Sequence, residues 1–394
     1  MYTNIVGAIT KENAPPDMSC PPRATMRGEL CEGRTMVRSK TSVAAVLLLF
    51  STVVAPVCDN SRGGDDSFGH LLLNEISGAE ILSTIVDLQS FGTREFHTAS
   101  AQESALYIQG EMVSLGLQTH MQQFYVDGTP VVNVVAVLNP DVVAESVFLI
   151  GAHYDSENSE VTNLSEAENI TAPGADDNGS GVGVMLELAR VLSQTADFPA
   201  TVKFVAFGAE EIGYDGSGGT KGSADFARLE VEAGVSYDGV FVLDMVGYRV
   251  TTENRATLVC NEASASLAHS MTEAATEYGV DISLQTVLDE TFVYSDHASF
   301  WEAEYPSILV IEELSPTTGR PVNPDYHTSE DTVEKLSDEL MTEVAKSTLA
   351  TIIHLTDQGE DSYSLAYYGV AAATLVAVAT VAAFLLMRQR KGEV

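Results

Sequence analysis

Apolar residues along the chain fall into two patterns. Helical spacing, with apolar positions three and four apart, runs through residues 79–91, 101–117, 181–192, 264–278 and 333–355. Between these stretches stand short continuous apolar runs of strand length at 131–138, 147–150, 202–207, 240–243, 257–259 and 308–311. A strand that is apolar on both faces must be covered on both, and strands alternating with helices supply that cover. The pattern therefore predicts an α/β protein: a single three-layer α/β/α domain with a mostly parallel central sheet. No internal repeat or low-complexity linker interrupts it, so residues 70–357 are expected to form one domain.

The two ends of the chain read differently. Residues 43–57 are apolar, follow Arg38 and Lys40, and are too short to span a bilayer comfortably. Residues 36–58 are accordingly expected to be a secretory signal, with 1–35 an upstream extension that has no periodicity. Residues 365–387 hold 23 positions without a charge. At about 1.5 Å per residue they reach roughly 34 Å, enough for a hydrocarbon core of about 30 Å. Tyr363, Tyr367 and Tyr368 lie at one end of this run and Arg388, Arg390 and Lys391 at the other. Positive charge stays cytoplasmic. The expectation is one C-terminal transmembrane helix, a stalk at 358–364, a cytoplasmic tail at 388–394, and a domain facing outward at the cell membrane.

Composition narrows the chemistry. Lys and Arg total 20 against 56 Asp and Glu, a balance of −36. Nucleic acid is thereby excluded as a partner, because phosphate binding needs a basic footprint. Of the four cysteines, Cys20, Cys31, Cys58 and Cys260, none has zinc-finger spacing, and Cys260 lies in an apolar run where a small buried residue fits.

In open α/β sheets ligands bind beyond the carboxyl ends of the strands. Polar clusters follow the apolar runs at those places: His153-Tyr154-Asp155, Asp176-Asp177-Asn178, Glu210-Glu211, Asp244 and Tyr326-His327. Two imidazoles with several carboxylates and no thiolate suit a pair of divalent ions, zinc foremost. Two ions that share a carboxylate can hold and acidify a water, and a further carboxylate must then accept its proton. The adjacent Glu210 and Glu211 fit that division, since neighbours at a strand end face opposite ways.

The set HYD, GADDNGSG, GAEEIG, LDMVGY and YHTSEDT, in this order over roughly residues 70–357, resembles the M28 family of zinc aminopeptidases. The resemblance implies two zinc ions and peptide substrates. It implies one metal on His153 and Asp244, the other on Glu211 and His327, and Asp177 bridging them. It further implies Glu210 as general base, Asp155 accepting a hydrogen bond from the His153 ring, and Tyr326 stabilising the oxyanion. Asp177 rather than Asp176 is the expected bridge because it directly precedes Asn178. His297, in SDHASFW, is open between a cleft position and a surface position beside a Ser295 N-cap. A carboxypeptidase or dipeptidase of the same fold, a one-metal glutaminyl cyclase and a catalytically inactive receptor ectodomain are the alternatives. Oligomeric state has no signal. The acidic runs at 155–168 and 325–343 are expected to be mostly solvated outside the motif residues, and His269 and His354 to be structural.

Overall fold

The computed structural model describes residues 65–140, 146–195 and 198–357. The expected signal, stalk, membrane helix and tail lie outside them, as do Cys20, Cys31 and Cys58. Among the described residues no helix is long and apolar enough to cross a membrane.

Three helices open the described chain: α1 (Asp65–Asn74), α2 (Gly78–Ser90) and α3 (Ala99–Ser114). Ser77 and Thr98 cap α2 and α3, each accepting a backbone N–H three residues on. The strands are β1 (Gln118–Val126), β2 (Thr129–Leu138), β3 (Ser146–His153), β4 (Ala200–Phe207), β5 (Gly239–Leu243), β6 (Arg255–Cys260), β7 (Ser283–Leu288) and β8 (Ser307–Ile311). Between them lie α4 (Gly181–Ser193), α5 (Lys221–Ala233), α6 (Ala265–Glu277) and the short α7 (His297–Glu302). The last helix among the described residues, α8, covers residues 338–357. The expected helix over 333–355 thus begins later, after a single 3-10 turn at Val333–Lys335.

The eight strands of the described residues form one sheet in the order β1-β2-β4-β3-β5-β8-β6-β7. The inner four, β4-β3-β5-β8, run parallel. The flanks are antiparallel at β1-β2, β2-β4 and β6-β8, with β7 parallel to β6. The sheet is therefore mixed rather than mostly parallel, with parallel pairing at its centre and at the β6-β7 edge. The cause lies in the connections. β1 and β2 are joined by a tight turn through Asp127 and Gly128, both in the left-handed region, and a two-residue hairpin can only reverse direction.

Alternate strand residues feed two cores. Phe148, Ile150, Phe204, Phe241, Leu243 and Val310 pack on one face against α1–α4, α6 and α8. Leu149, Val205, Phe207, Val240, Val242 and Leu309 pack on the other with Phe226 of α5 and Phe300 of α7. These are the three layers the pattern predicted.

Topology now positions the site. β3 has β4 on one side and β5 on the other, so the chain reverses its direction of winding there, and the loops leaving these three strands converge. Register completes the convergence. His153 ends β3 opposite Phe207, and Gly151 pairs with Val242, which brings Asp244, two residues on, level with His153.

Candidate metal centre

Five of the residues singled out from sequence meet at this crossing. His153, buried at the end of β3, directs Nε2 to Asp177 Oδ1 at 3.2 Å and Asp244 Oδ1 at 3.4 Å. His327 directs Nε2 to Asp177 Oδ2 at 3.0 Å and Glu211 Oε2 at 3.1 Å. Asp177 thus lies between two groups of donors and turns one oxygen to each. For a tetrahedral ion with bonds of about 2.0–2.1 Å, donors stand about 3.3 Å apart, close to the 3.2 and 3.4 Å of the His153 group and slightly more than the 3.0 and 3.1 Å of the His327 group. Glu211 Oε1, Asp244 Oδ1 and His327 Nε2 are buried and have no hydrogen-bond partner. Buried polar atoms without partners are rare and call for a ligand. Nitrogen and carboxylate donors, clustered at these distances, fit zinc.

The surroundings are strongly acidic, and the titrating groups respond. Burial would lower His327, but Glu211 and Asp177 raise it to about 12. Burial likewise opposes the charge on His153, yet Glu210, Asp244, Asp155 and Asp177 hold it well above the usual histidine range. Burial, helped by Asp177, lifts Glu211 to about 8. Asp177 goes the other way, below the usual carboxylate range: the two imidazoles outweigh its burial.

Glu210 stands 4.0 Å from His153 Nε2 through Oε2 and lines a pocket of about 60 Å³ together with Asp177, Glu211 and Asp244. Burial raises its carboxyl well above the ordinary value; His153 opposes the shift, while Glu211, Asp296 and Asp244 add to it. The same pocket has apolar walls from Met245, Phe292, Leu309, Ile311, Pro321 and Tyr326. Several of these residues also border a larger cleft of about 570 Å³. Tyr326 stacks on the His327 ring with centroids 3.7 Å apart. Partial burial and the nearby carboxylates push its hydroxyl up, so the group remains a donor at neutral pH.

Asp155 accepts from the His153 ring, as expected, and also has a second task. The His153 ring Nδ1 is 3.2 Å from the Asp155 backbone carbonyl and 3.7 Å from its carboxylate, so the carbonyl is the nearer acceptor. The carboxylate is committed elsewhere: Oδ1 accepts from Glu210 N at 3.2 Å and Oδ2 from Glu211 N at 3.0 Å. It fixes the backbone of both glutamates. Asp176 turns away from the cluster, accepting from Gly247 N and Asn323 Nδ2 at 2.8 Å each, and shares a hydrogen bond with the buried Glu312. His297 is neither a cleft residue nor a surface one. It is fully buried, with Nε2 2.9 Å from the Phe292 carbonyl and its ring edge-on to Trp301, and burial lowers it to about 4. The N-cap of α7 is Asp296 rather than Ser295, and it makes no side-chain cap.

Three residues support the site, and two of them, Arg94 and Asp331, carry no signal in the sequence. Arg94 is fully buried and donates to the carbonyls of Tyr154 (2.7 Å), Pro173 (2.5 Å), Gly174 (2.8 Å) and Leu88 (3.3 Å). Asn178 accepts from Gly181 N and Met245 N and donates to Leu243 O, tying the Asp177 loop to the end of β5. Asp331, in a run expected to be solvated, is buried and accepts from Asp176 N at 2.9 Å and Asp177 N at 3.0 Å. Ala209, Met245 and His327 all adopt left-handed backbone, at φ 56°, 55° and 57°. Such conformations cost of order 1–3 kcal/mol each and persist only where surroundings enforce them.

The profile of Peptidase family M28 matches residues 133–352. Aminopeptidase YwaD of Bacillus subtilis is 32% identical over 227 residues, which are 56% of this chain and 44% of that protein. The LapA aminopeptidase of Legionella pneumophila has a TM-score of 0.62 at 23% identity, with 74% of this chain and 75% of that one covered. The glutaminyl cyclase of Porphyromonas gingivalis gives 0.57 at 25% identity, with 70% and 98% covered.

Proposed function

The chain belongs to peptidase family M28 and is a zinc-dependent exopeptidase, and we propose that it is an aminopeptidase working with two zinc ions. In this reading His153 and Asp244 hold one ion, Glu211 and His327 the other, and Asp177 both. The observation that carries it is the Asp177 carboxylate, with one oxygen toward each imidazole at 3.2 and 3.0 Å. The likeness to the aminopeptidase YwaD supports cleavage from the amino terminus.

Zinc bound at these donors polarises a peptide carbonyl and makes a water acidic near neutral pH. The remaining work falls to the chain. Glu210 accepts the proton of the attacking water and passes it to the leaving amine. Asp155 sets the position of Glu210 and Glu211 through their backbone N–H groups. Tyr326 donates to the oxygen that becomes negative as the carbonyl is attacked. The apolar walls of Met245, Phe292, Leu309 and Ile311 receive the side chain of the first residue, which favours aliphatic and aromatic amino termini. Asp155, Tyr326 and the metal donors depend on loops that Arg94, Asn178 and Asp331 lock in place.

The charge-free run at 365–387 and the apolar run at 43–57 support an exported, membrane-anchored enzyme with its site outside the cell. The test of function is turnover of leucine amide by the purified full chain. Glu210→Ala should abolish it while zinc stays bound; undiminished turnover in that variant would refute the mechanism. A series of peptides blocked at either end separates the aminopeptidase from a carboxypeptidase.

A further inference from the structure

Glu157 lies just beyond the HYD motif, in a run expected to be solvated, yet it faces the centre. Its neighbours fix it there. Ser156 is fully buried and donates to the Ala172 carbonyl at 2.8 Å; Asn158, also buried, donates to the Thr171 carbonyl at 2.9 Å. With the residues on both sides anchored inward, the side chain of Glu157 projects to the cleft. Ser159 N then donates to the His327 backbone carbonyl at 3.0 Å, so the loop and the His327 segment hold one register. Glu157 Oε1 is 3.8 Å from His327 Nδ1, the ring nitrogen that faces away from Asp177 and Glu211. Among the described residues the Glu157 carboxylate has no other ion pair.

We propose that Glu157 is a positioning residue for the second metal: it takes the Nδ1–H of His327 and so aims Nε2 at the ion. The inference rests on the two-zinc reading. A ligating histidine needs its other ring nitrogen satisfied, which fixes the tautomer and raises the donor strength of the ligating nitrogen. His153 meets that need with a neutral carbonyl, that of Asp155. His327 has instead a partly exposed carboxylate, whose free side chain closes the gap of about 1 Å to hydrogen-bonding range. Stacking on Tyr326 holds the face of the ring, and Glu157 holds its edge. The two imidazoles are thus backed differently, and loss of Glu157 is felt at one ion only.

Zinc titration of the metal-stripped full chain against a chromogenic chelator tests this. The wild type should take up two ions. Glu157→Ala should weaken one of them by about 10–100-fold and leave the other within about twofold. Glu157→Gln keeps an acceptor oxygen without the charge, so its loss should be intermediate. The cobalt-substituted protein should keep the intensity of its visible absorption in both variants, because Glu157 stays outside the coordination sphere. Two unchanged affinities in Glu157→Ala overturn the proposal, and so does a changed cobalt band, which would make Glu157 a direct ligand. A wild type that binds fewer than two ions refutes the two-zinc reading, and with it the assignment to one ion of a pair.

Discussion

Arg94→Met should be among the most damaging single substitutions in the domain, although Arg94 touches no proposed metal ligand. Its guanidinium is fully buried and joins the carbonyls of Leu88, Tyr154, Pro173 and Gly174, which belong to three segments that converge on the site. Burial lowers it to about 10, with Asp331, Asp155, Asp177 and Glu211 pulling it up, so it carries its charge at neutral pH. Methionine fills much of the volume and bonds to nothing. Each carbonyl left unpaired costs roughly 1–3 kcal/mol, or about 4–12 kcal/mol in total if nothing relaxed. Loops relax and water enters, so the expected loss is about 3–5 kcal/mol, the range for removing one partner from a buried charged network. Arg94→Lys keeps the charge but reaches fewer carbonyls, and should lose about half as much. Urea unfolding of the metal-stripped and zinc-loaded chain, followed by circular dichroism, reads both. A loss below about 1 kcal/mol in Arg94→Met would show that the buried cation does not brace the site.

Further expectations follow from other residues. Glu210→Gln should lower kcat by about 10²–10⁴-fold with the zinc content unchanged, as measured by leucine amide turnover and elemental analysis. Asn178→Ala removes the ties to Gly181, Leu243 and Met245, and should cost about 2–4 kcal/mol in urea unfolding as well as weaken zinc binding. A methyl group at Gly181 would meet the Leu243 carbonyl at 2.3 Å, so Gly181→Ala should destabilise by about 2 kcal/mol or more. In the metal-free protein His327 at about 12 and Glu211 at about 8 hold protons at pH 7, and zinc needs both groups without them. Zinc binding should therefore release protons and weaken as pH falls from 8 to 6, by roughly tenfold per pH unit for each proton. Calorimetry in buffers of different ionisation enthalpy would detect the release; a pH-independent affinity would contradict it.

What could be read from the chain and what could not divide along physical lines. The inner strands were legible because both their faces are buried, which writes a continuous apolar run such as VFLI or VKFVAF. The outer strands β1 (QTHMQQFYV) and β7 (SLQTVL) were not, since each has a largely exposed face and a mixed pattern. Their partners make the sheet mixed, and nothing in the central runs encodes that. Helix α5 was hidden for a similar reason: it buries only Gly222, Ser223, Phe226 and Ala227. At the site, side chains that follow strand ends directly were visible as motifs. Arg94 and Asp331 were invisible because their partners are backbone atoms, all but Leu88 O about 60–155 residues away in sequence. A buried Arg bonding to carbonyls looks, in sequence, like any surface Arg. The Asp155 contact to His153 is legible from the HYD motif, but its bonds to the Glu210 and Glu211 N–H groups are not, because backbone donors leave no trace in the pattern.

A two-metal centre built on Asp177 ties zinc content to activity, which is read as zinc per chain against leucine amide turnover while metal is returned to the stripped full-length protein. Full turnover should come only as the content approaches two, with Asp177→Asn unable to reach it. Full turnover with a single ion, or turnover that survives complete removal of metal, would contradict it.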